Sequence, residues 1–220
     1  MANARDTEIL IERLNKQYGE EKAAKLVSYI DKVLDRNEHI NLTAVRDRDE
    51  AMQKHLADSL AITDLPEFRN AESVIDIGTG AGFPGALLAI AYPEKRFALL
   101  DSTLKRLRVI DEFARDLGAE NITTVHARAE EISRKPPYKE GFDLCVSRAV
   151  ASMDKLAGWC LPFVKSGGAF VAYKGENYDA ELEEAQRSLK KFRGTFDRAV
   201  GLDLPAEEIS GHVLIVINKK

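Results

Sequence analysis

The feature that most constrains this chain is the run Val74-Ile75-Asp76-Ile77-Gly78-Thr79-Gly80-Ala81-Gly82-Phe83-Pro84-Gly85. An apolar, β-branched stretch runs into alternate glycines and then into a helical stretch near Pro84 to Ala91, so a buried strand must turn sharply into a helix. Glycine tolerates positive φ and carries no side chain, so a ligand can approach the backbone of such a turn. The helix start adds unpaired N–H groups.

The same alternation continues on the C-terminal side. Short β-prone runs at Phe97 to Leu100, Ile122 to Val125, Leu144 to Val146 and Ala169 to Tyr173 are separated by helical stretches at Thr103 to Leu117 and Met153 to Phe163. This pattern yields a doubly wound α/β domain around a parallel sheet. A helix near Asp179 to Leu189 follows. Thr195 to Val200 and His212 to Asn218 then read as two strands with Pro205 and Gly211 between them, a connection short enough for an antiparallel pair at the sheet edge.

Before the glycine loop the period is helical. Ala23, Val27, Ile30 and Leu34 recur among charged residues, after a shorter helix marked by Leu10, Leu14 and Tyr18. Asp47 with Glu50 has the form of a capping box, and Met52, His55, Leu56, Ser59 and Leu60 line one face of the next helix. The expected division is an N-terminal helical segment, 1–66, packed on an α/β core domain, 67–220.

Composition excludes some function classes. No apolar run approaches the roughly 18 residues of a spanning helix, and Met1 to Asp6 carries no apolar segment behind a basic start, so cytoplasm is the expected address. A formal charge of -4 argues against nucleic-acid binding by the whole surface but permits a local basic patch, such as Lys105, Arg108 and Arg115 or Lys190, Lys191 and Arg193. Cys145 and Cys160 sit in apolar stretches without a metal-ligand spacing, which makes them buried small hydrophobes; no metal site is expected.

Two cofactor classes compete for the loop. Gly80 to Gly85 matches the dinucleotide fingerprint G-x-G-x-x-G, whereas Asp76, two positions before the first of three alternate glycines, resembles the first motif of class I S-adenosyl-L-methionine-dependent methyltransferases. A carboxylate there orders the loop or engages a cationic ammonium; beside a pyrophosphate it is unfavourable. Asp101, ending the second strand, suits two ribose hydroxyls in either class. Glu130 reads equally as an adenine-edge contact or a carboxylate at a helix start.

Asn41-Leu42-Thr43-Ala44-Val45, His55-Leu56-Ala57-Asp58-Ser59, the glycine loop with Phe83-Pro84-Gly85, Leu99-Leu100-Asp101-Ser102, Ser147-Arg148-Ala149 and Lys174-Gly175 together resemble the GidB/RsmG family of bacterial 16S ribosomal RNA guanine-N7 methyltransferases. The resemblance implies a class I methyltransferase fold: a mostly parallel seven-stranded sheet with an antiparallel edge strand and an N-terminal helical extension. It implies S-adenosyl-L-methionine as donor and 16S rRNA as acceptor, within a 30S subunit or an assembly intermediate. Donor contacts carry over to Gly78, Phe83, Ala129, Glu130 and Arg148, with Asp76, Gly80 and Asp101 added by the wider class. A monomer without membrane contact is expected.

Guanine N7 has a free lone pair at neutral pH, so no general base is required and catalysis is mostly alignment. Arg148 and Lys174, at the ends of successive strands, are candidate positioning residues; salt bridging or plain exposure are their alternatives. His55 and Asp58 lie one helical turn apart and can form a pair, though a cap or a hydrogen bond between elements suits them better. The motif Lys135-Pro136-Pro137-Tyr138 precedes its strand and reads as a loop. A small-molecule methyltransferase, an NAD-binding oxidoreductase and a noncatalytic ribosome-assembly factor remain open from the residues alone.

Overall fold

The computed structural model describes residues 3–202 and 211–220, so the turn expected at Pro205 lies outside the described residues. Two amphipathic helices come first, α1 (Ala4–Tyr18) and α2 (Glu20–Asn37), hinged at Gly19. The Asn3 side chain caps α1 by accepting from the Asp6 N–H at 3.1 Å. A continuous helical run follows: α3 (Arg48–Ala51), a π-helical segment (Met52–Ala57) and α4 (Asp58–Leu60), then a 3₁₀ turn (Ala61–Asp64) and the short α5 (Pro66–Arg69). Asp47 caps the run at the Glu50 N–H (2.9 Å), but only half of the capping box forms, because the Glu50 carboxylate binds Lys54 instead.

The alternating region is β1 (Ser73–Ile77), α6 (Gly85–Ala91), β2 (Arg96–Asp101), α7 (Leu104–Leu117), β3 (Ile122–His126), α8 (Ala129–Ile132), β4 (Phe142–Arg148), α9 (Met153–Cys160) and β5 (Val164–Lys174). It closes with α10 (Tyr178–Lys191), β6 (Gly194–Gly201) and β7 (Val213–Lys219). The helix expected to reach Phe163 stops at Cys160 and tightens into a 3₁₀ turn, since Pro162 has no N–H to continue it.

The sheet order is β3-β2-β1-β4-β5-β7-β6. The five strands from β3 to β5 run parallel, and β7 is antiparallel to both β5 and β6, which gives the expected antiparallel pair at the edge. Strand order reverses beside β1, which lies between β2 and β4. In such sheets ligands bind outside the carboxyl ends of the strands at that reversal.

Each face of the sheet has its own core. One is filled by α1, α2, α6, α7 and the helical run from Arg48; the other by α8, α9 and α10. Every residue of α6, Gly-Ala-Leu-Leu-Ala-Ile-Ala, is buried. A helix apolar on all sides needs cover on both sides; here the sheet supplies one and α2 the other. Cys145 and Cys160 are buried, as expected. Among the described residues no helix is long and apolar enough to cross a membrane.

Candidate active site

The glycine loop leaves β1 with Gly78, Gly80 and Gly82 at φ 73°, 60° and 91°. The Gly78 and Thr79 N–H groups donate to the Leu100 carbonyl at 2.8 and 3.0 Å, tying the turn to the end of β2. Asp76 lies fully buried beneath it. Its Oδ2 accepts from Thr79 Oγ1 at 2.7 Å and from the Gly85 N–H at 2.9 Å, while Oδ1 has no hydrogen-bond partner among the described residues. Burial raises the Asp76 pKa to about 7, against the opposing effect of those two hydrogen bonds. Asp76 therefore orders the loop from below and lines none of the three cavities described next.

The N-terminal helices hold the other side of the loop. Tyr29 of α2 is fully buried and donates to the Ala81 carbonyl at 2.9 Å. A Cβ at Gly82 would stand 2.1 Å from the Tyr29 hydroxyl oxygen, so the hydroxyl takes the space left by the missing side chain. The literal dinucleotide match therefore builds no open phosphate cradle: Gly82 is packed against Tyr29, and the Gly85 N–H is taken by a carboxylate.

A first cavity, about 370 Å³, opens over β1 and β2 and is lined by Gly78, Asp101, Ala129, Glu130, Val150 and Trp159, among others. Asp101 accepts from the Gly80 N–H (3.0 Å) through one oxygen and from the Thr103 N–H (2.8 Å) through the other. A carboxylate has about four lone-pair positions, so two remain for a ligand. Arg106 stands 3.9 Å away and adds positive charge at the rim.

A second cavity, about 500 Å³, lies on the other side of the loop, with Thr43, His55, Gly80, Phe83, Arg148 and His212 in its wall. A third, about 390 Å³, lies beyond Arg148 and reaches Val150, Tyr173 and Lys174. Ala149 lines all three cavities, and it is a non-glycine residue held at φ 55°. Strained backbone of this kind persists only where surrounding structure enforces it, and it concentrates at functional sites.

Arg148, the last residue of β4, is anchored by the helical run. Its Nη1 donates to Asp58 Oδ2 at 2.7 Å and to the Lys54 carbonyl at 3.1 Å, and its guanidinium carbon lies 5.4 Å from the Phe83 ring centre. Asp58 is buried, which alone raises its pKa, but the hydrogen bonds of His212 and Arg148 and their charges prevail and lower it. His212 Nδ1 sits 3.1 Å from the other Asp58 oxygen. His55 does not pair with Asp58: a wider turn, closed by the Asp58 N–H bonding Gln53 five residues back, rotates the two side chains apart. His55 Nε2 instead meets Thr43 Oγ1 at 2.7 Å, and its ring stacks on Phe83 at 4.6 Å. Burial, then the Arg148 charge, drives its pKa down to about 4.

The structure thus brings Gly78, Asp101, Ala129 and Glu130 to one cavity and Gly80, Phe83 and Arg148 to its neighbour. Arg148 is ion-paired to Asp58 and lines two of the cavities. Lys174 is not a free cation: its ammonium binds the Ala151 carbonyl at 2.7 Å and Glu181 at 2.6 Å, bracing the loop after β4. Tyr138 packs edge-on against Phe163 rather than offering a stacking face. Sequence reading missed Arg106, Ala149, Val150, Trp159 and above all His212, which enters from the far end of the chain next to β7.

An acid-tipped β1, a glycine turn held by it, a second acid ending β2 and this strand order define the class I methyltransferase fold. Solved structures agree on the fold: an O-methyltransferase from Streptomyces achromogenes involved in tomaymycin synthesis (TM-score 0.59, 14% identity, covering 89% of this chain and 90% of that one), and a ribosomal protein L11 methylase from Lactobacillus delbrueckii (TM-score 0.54, 17% identity, 74% and 76%). Within that class, the chain belongs to the GidB family, rRNA small subunit methyltransferase G, whose model matches residues 22–202. Relatives named ribosomal RNA small subunit methyltransferase G include those of Clostridium novyi, 36% identical over 96% of this chain and 86% of the relative, and Lachnoclostridium phytofermentans, 41% identical over 87% and 78%.

Proposed function

We propose that this protein transfers the methyl group of S-adenosyl-L-methionine to N7 of a guanine in 16S rRNA, acting in the cytoplasm as a monomer on a 30S subunit or an assembly intermediate. The observation that carries the reading is the junction of three cavities at Ala149, in a chain of the small-subunit rRNA methyltransferase G family. Such a junction suits a donor in one compartment and an acceptor in the next.

The residues present fit the donor. The first cavity lies within the range of roughly 300–1,000 Å³ typical of small-ligand sites. Asp101 has acceptor capacity left for a ribose diol, Ala129 and Glu130 meet an adenine edge, and Gly78 admits close backbone approach. Gly80 and Phe83 bound the methionine end, while Asp76 acts through the loop it holds. When bound, the sulfonium supplies an activated methyl group. Guanine N7 needs no deprotonation, so the chain's work is to hold the two reactants in line and exclude water.

Purified protein incubated with radiolabelled donor and undermethylated 30S subunits, then digested to nucleosides, tests the proposal. Label is expected in 7-methylguanosine and is expected to vanish for Gly78→Asp, since a Cβ there would meet Val150 Cγ2 at 2.6 Å at a positive φ. Label in another nucleoside, or in free metabolites alone, refutes it.

A further inference from the structure

Arg148, mid-way along the core, and His212, near its C-terminal end, are both held by one buried carboxylate, that of Asp58. Both residues line the second and the third cavity. Arg148 spends only Nη1 on Asp58 and Lys54; no other described residue takes its Nη2 or Nε hydrogens. His212 directs Nδ1 at Asp58; in the neutral imidazole this contact puts the hydrogen on Nδ1 and leaves Nε2 as an acceptor, and it is this form that the inference uses. The buried carboxylate thus fixes a donor and an acceptor side by side, one on each of its oxygens.

A donor beside an acceptor complements the O6 and N1–H of guanine. We propose that Arg148 and His212 read the guanine edge in the third cavity, the guanidinium donating to O6 and the imidazole Nε2 accepting from N1–H. This inference rests on the guanine-N7 reading and deepens it by naming the residues that select the base. O6 lies between N7 and N1, so these two contacts leave the N7 lone pair free. The third cavity shares Ala149 and Val150 with the first, which places a base held there beside the donor compartment. Adenine offers an amine where guanine has O6 and a bare nitrogen where guanine has N1–H. Both pairs then mismatch, donor against donor and acceptor against acceptor, and a site built to hydrogen-bond its substrate rejects such an analogue strongly.

His212 is the informative position, because it is half-exposed and its removal leaves Asp58 paired with Arg148. The experiment compares wild type, His212→Ala and His212→Gln, the last placing an amide oxygen near the position of Nε2. Donor affinity is measured by calorimetry, and kcat and KM are measured on undermethylated 30S subunits. For His212→Ala, donor affinity is expected to stay within about twofold while kcat/KM falls roughly 10- to 100-fold, the scale of one lost base contact. Glutamine is expected to recover part of that loss. Wild-type kcat/KM in His212→Ala overturns the inference, and so does a parallel loss of donor affinity, which would assign His212 to the donor site. Wild-type protein that labels no 7-methylguanosine overturns the guanine reading, and this inference with it; wild-type labelling with an unaffected His212→Ala overturns this inference alone.

Discussion

Asp76→Asn isolates what a buried carboxylate under the glycine loop does to stability. Asparagine keeps an oxygen for the Thr79 hydroxyl and the Gly85 N–H, at 2.7 and 2.9 Å in the wild type, but carries no charge. The Asp76 pKa rises from an ordinary 3.8 to about 7 on folding, chiefly through burial. Between those values the folded state binds more protons than the unfolded state, so stability falls as pH rises and levels off above about 7. About three units correspond to roughly 4 kcal/mol in total, of which roughly 3 kcal/mol falls between pH 5 and 8. His55 works in the opposite sense: its pKa drops from 6.5 to about 4, so its contribution is lost as pH falls through that window. It is common to both proteins and cancels in their difference. Urea unfolding of both proteins near pH 5 and near pH 8 is therefore expected to show Asp76→Asn gaining about 3 kcal/mol on wild type over the interval. A difference flat to within about 0.5 kcal/mol would mean that Asp76 is not a desolvated acid and would refute the argument.

Other substitutions test the remaining contacts. Tyr29→Phe removes the 2.9 Å bond to Ala81 and leaves a buried carbonyl without its donor, so urea unfolding is expected to show a loss of about 1–3 kcal/mol, with weaker donor binding by calorimetry. Gly82→Ala is expected to cost more than Tyr29→Phe, because the new Cβ would meet the tyrosine oxygen at 2.1 Å; the double variant should be less destabilised than the sum, as a double-mutant cycle will read. Arg148→Met strips a buried charge of its closest partner and is expected to destabilise by about 3–5 kcal/mol, while adding Asp58→Asn should restore part of that loss in thermal melts.

Much of the fold was legible because its signals are local. The apolar run into alternate glycines located β1 and its turn, and the alternation of periods located the sheet. The ordered motifs identified the family, Asp101 and Glu130 could be read from the ends of their strands, and Ala129 came with the family resemblance; the three line one cavity.

What tertiary structure alone decided is which distant groups meet. Spacing allowed His55 to pair with Asp58 but favoured a cap or hydrogen bonds between elements, without naming partners; the π-helical turn separates the two, and the carboxylate takes Arg148 and His212, 90 and 154 positions away. Lys174 looked like a free strand-end cation until Ala151 and Glu181 were found on its ammonium. No motif foretold that Tyr29 would fill the space above Gly82. A chain records its own turns and periods, since those depend on neighbouring residues; the partners of a buried charge depend on how separate elements pack, and that is settled only when the sheet brings their ends together.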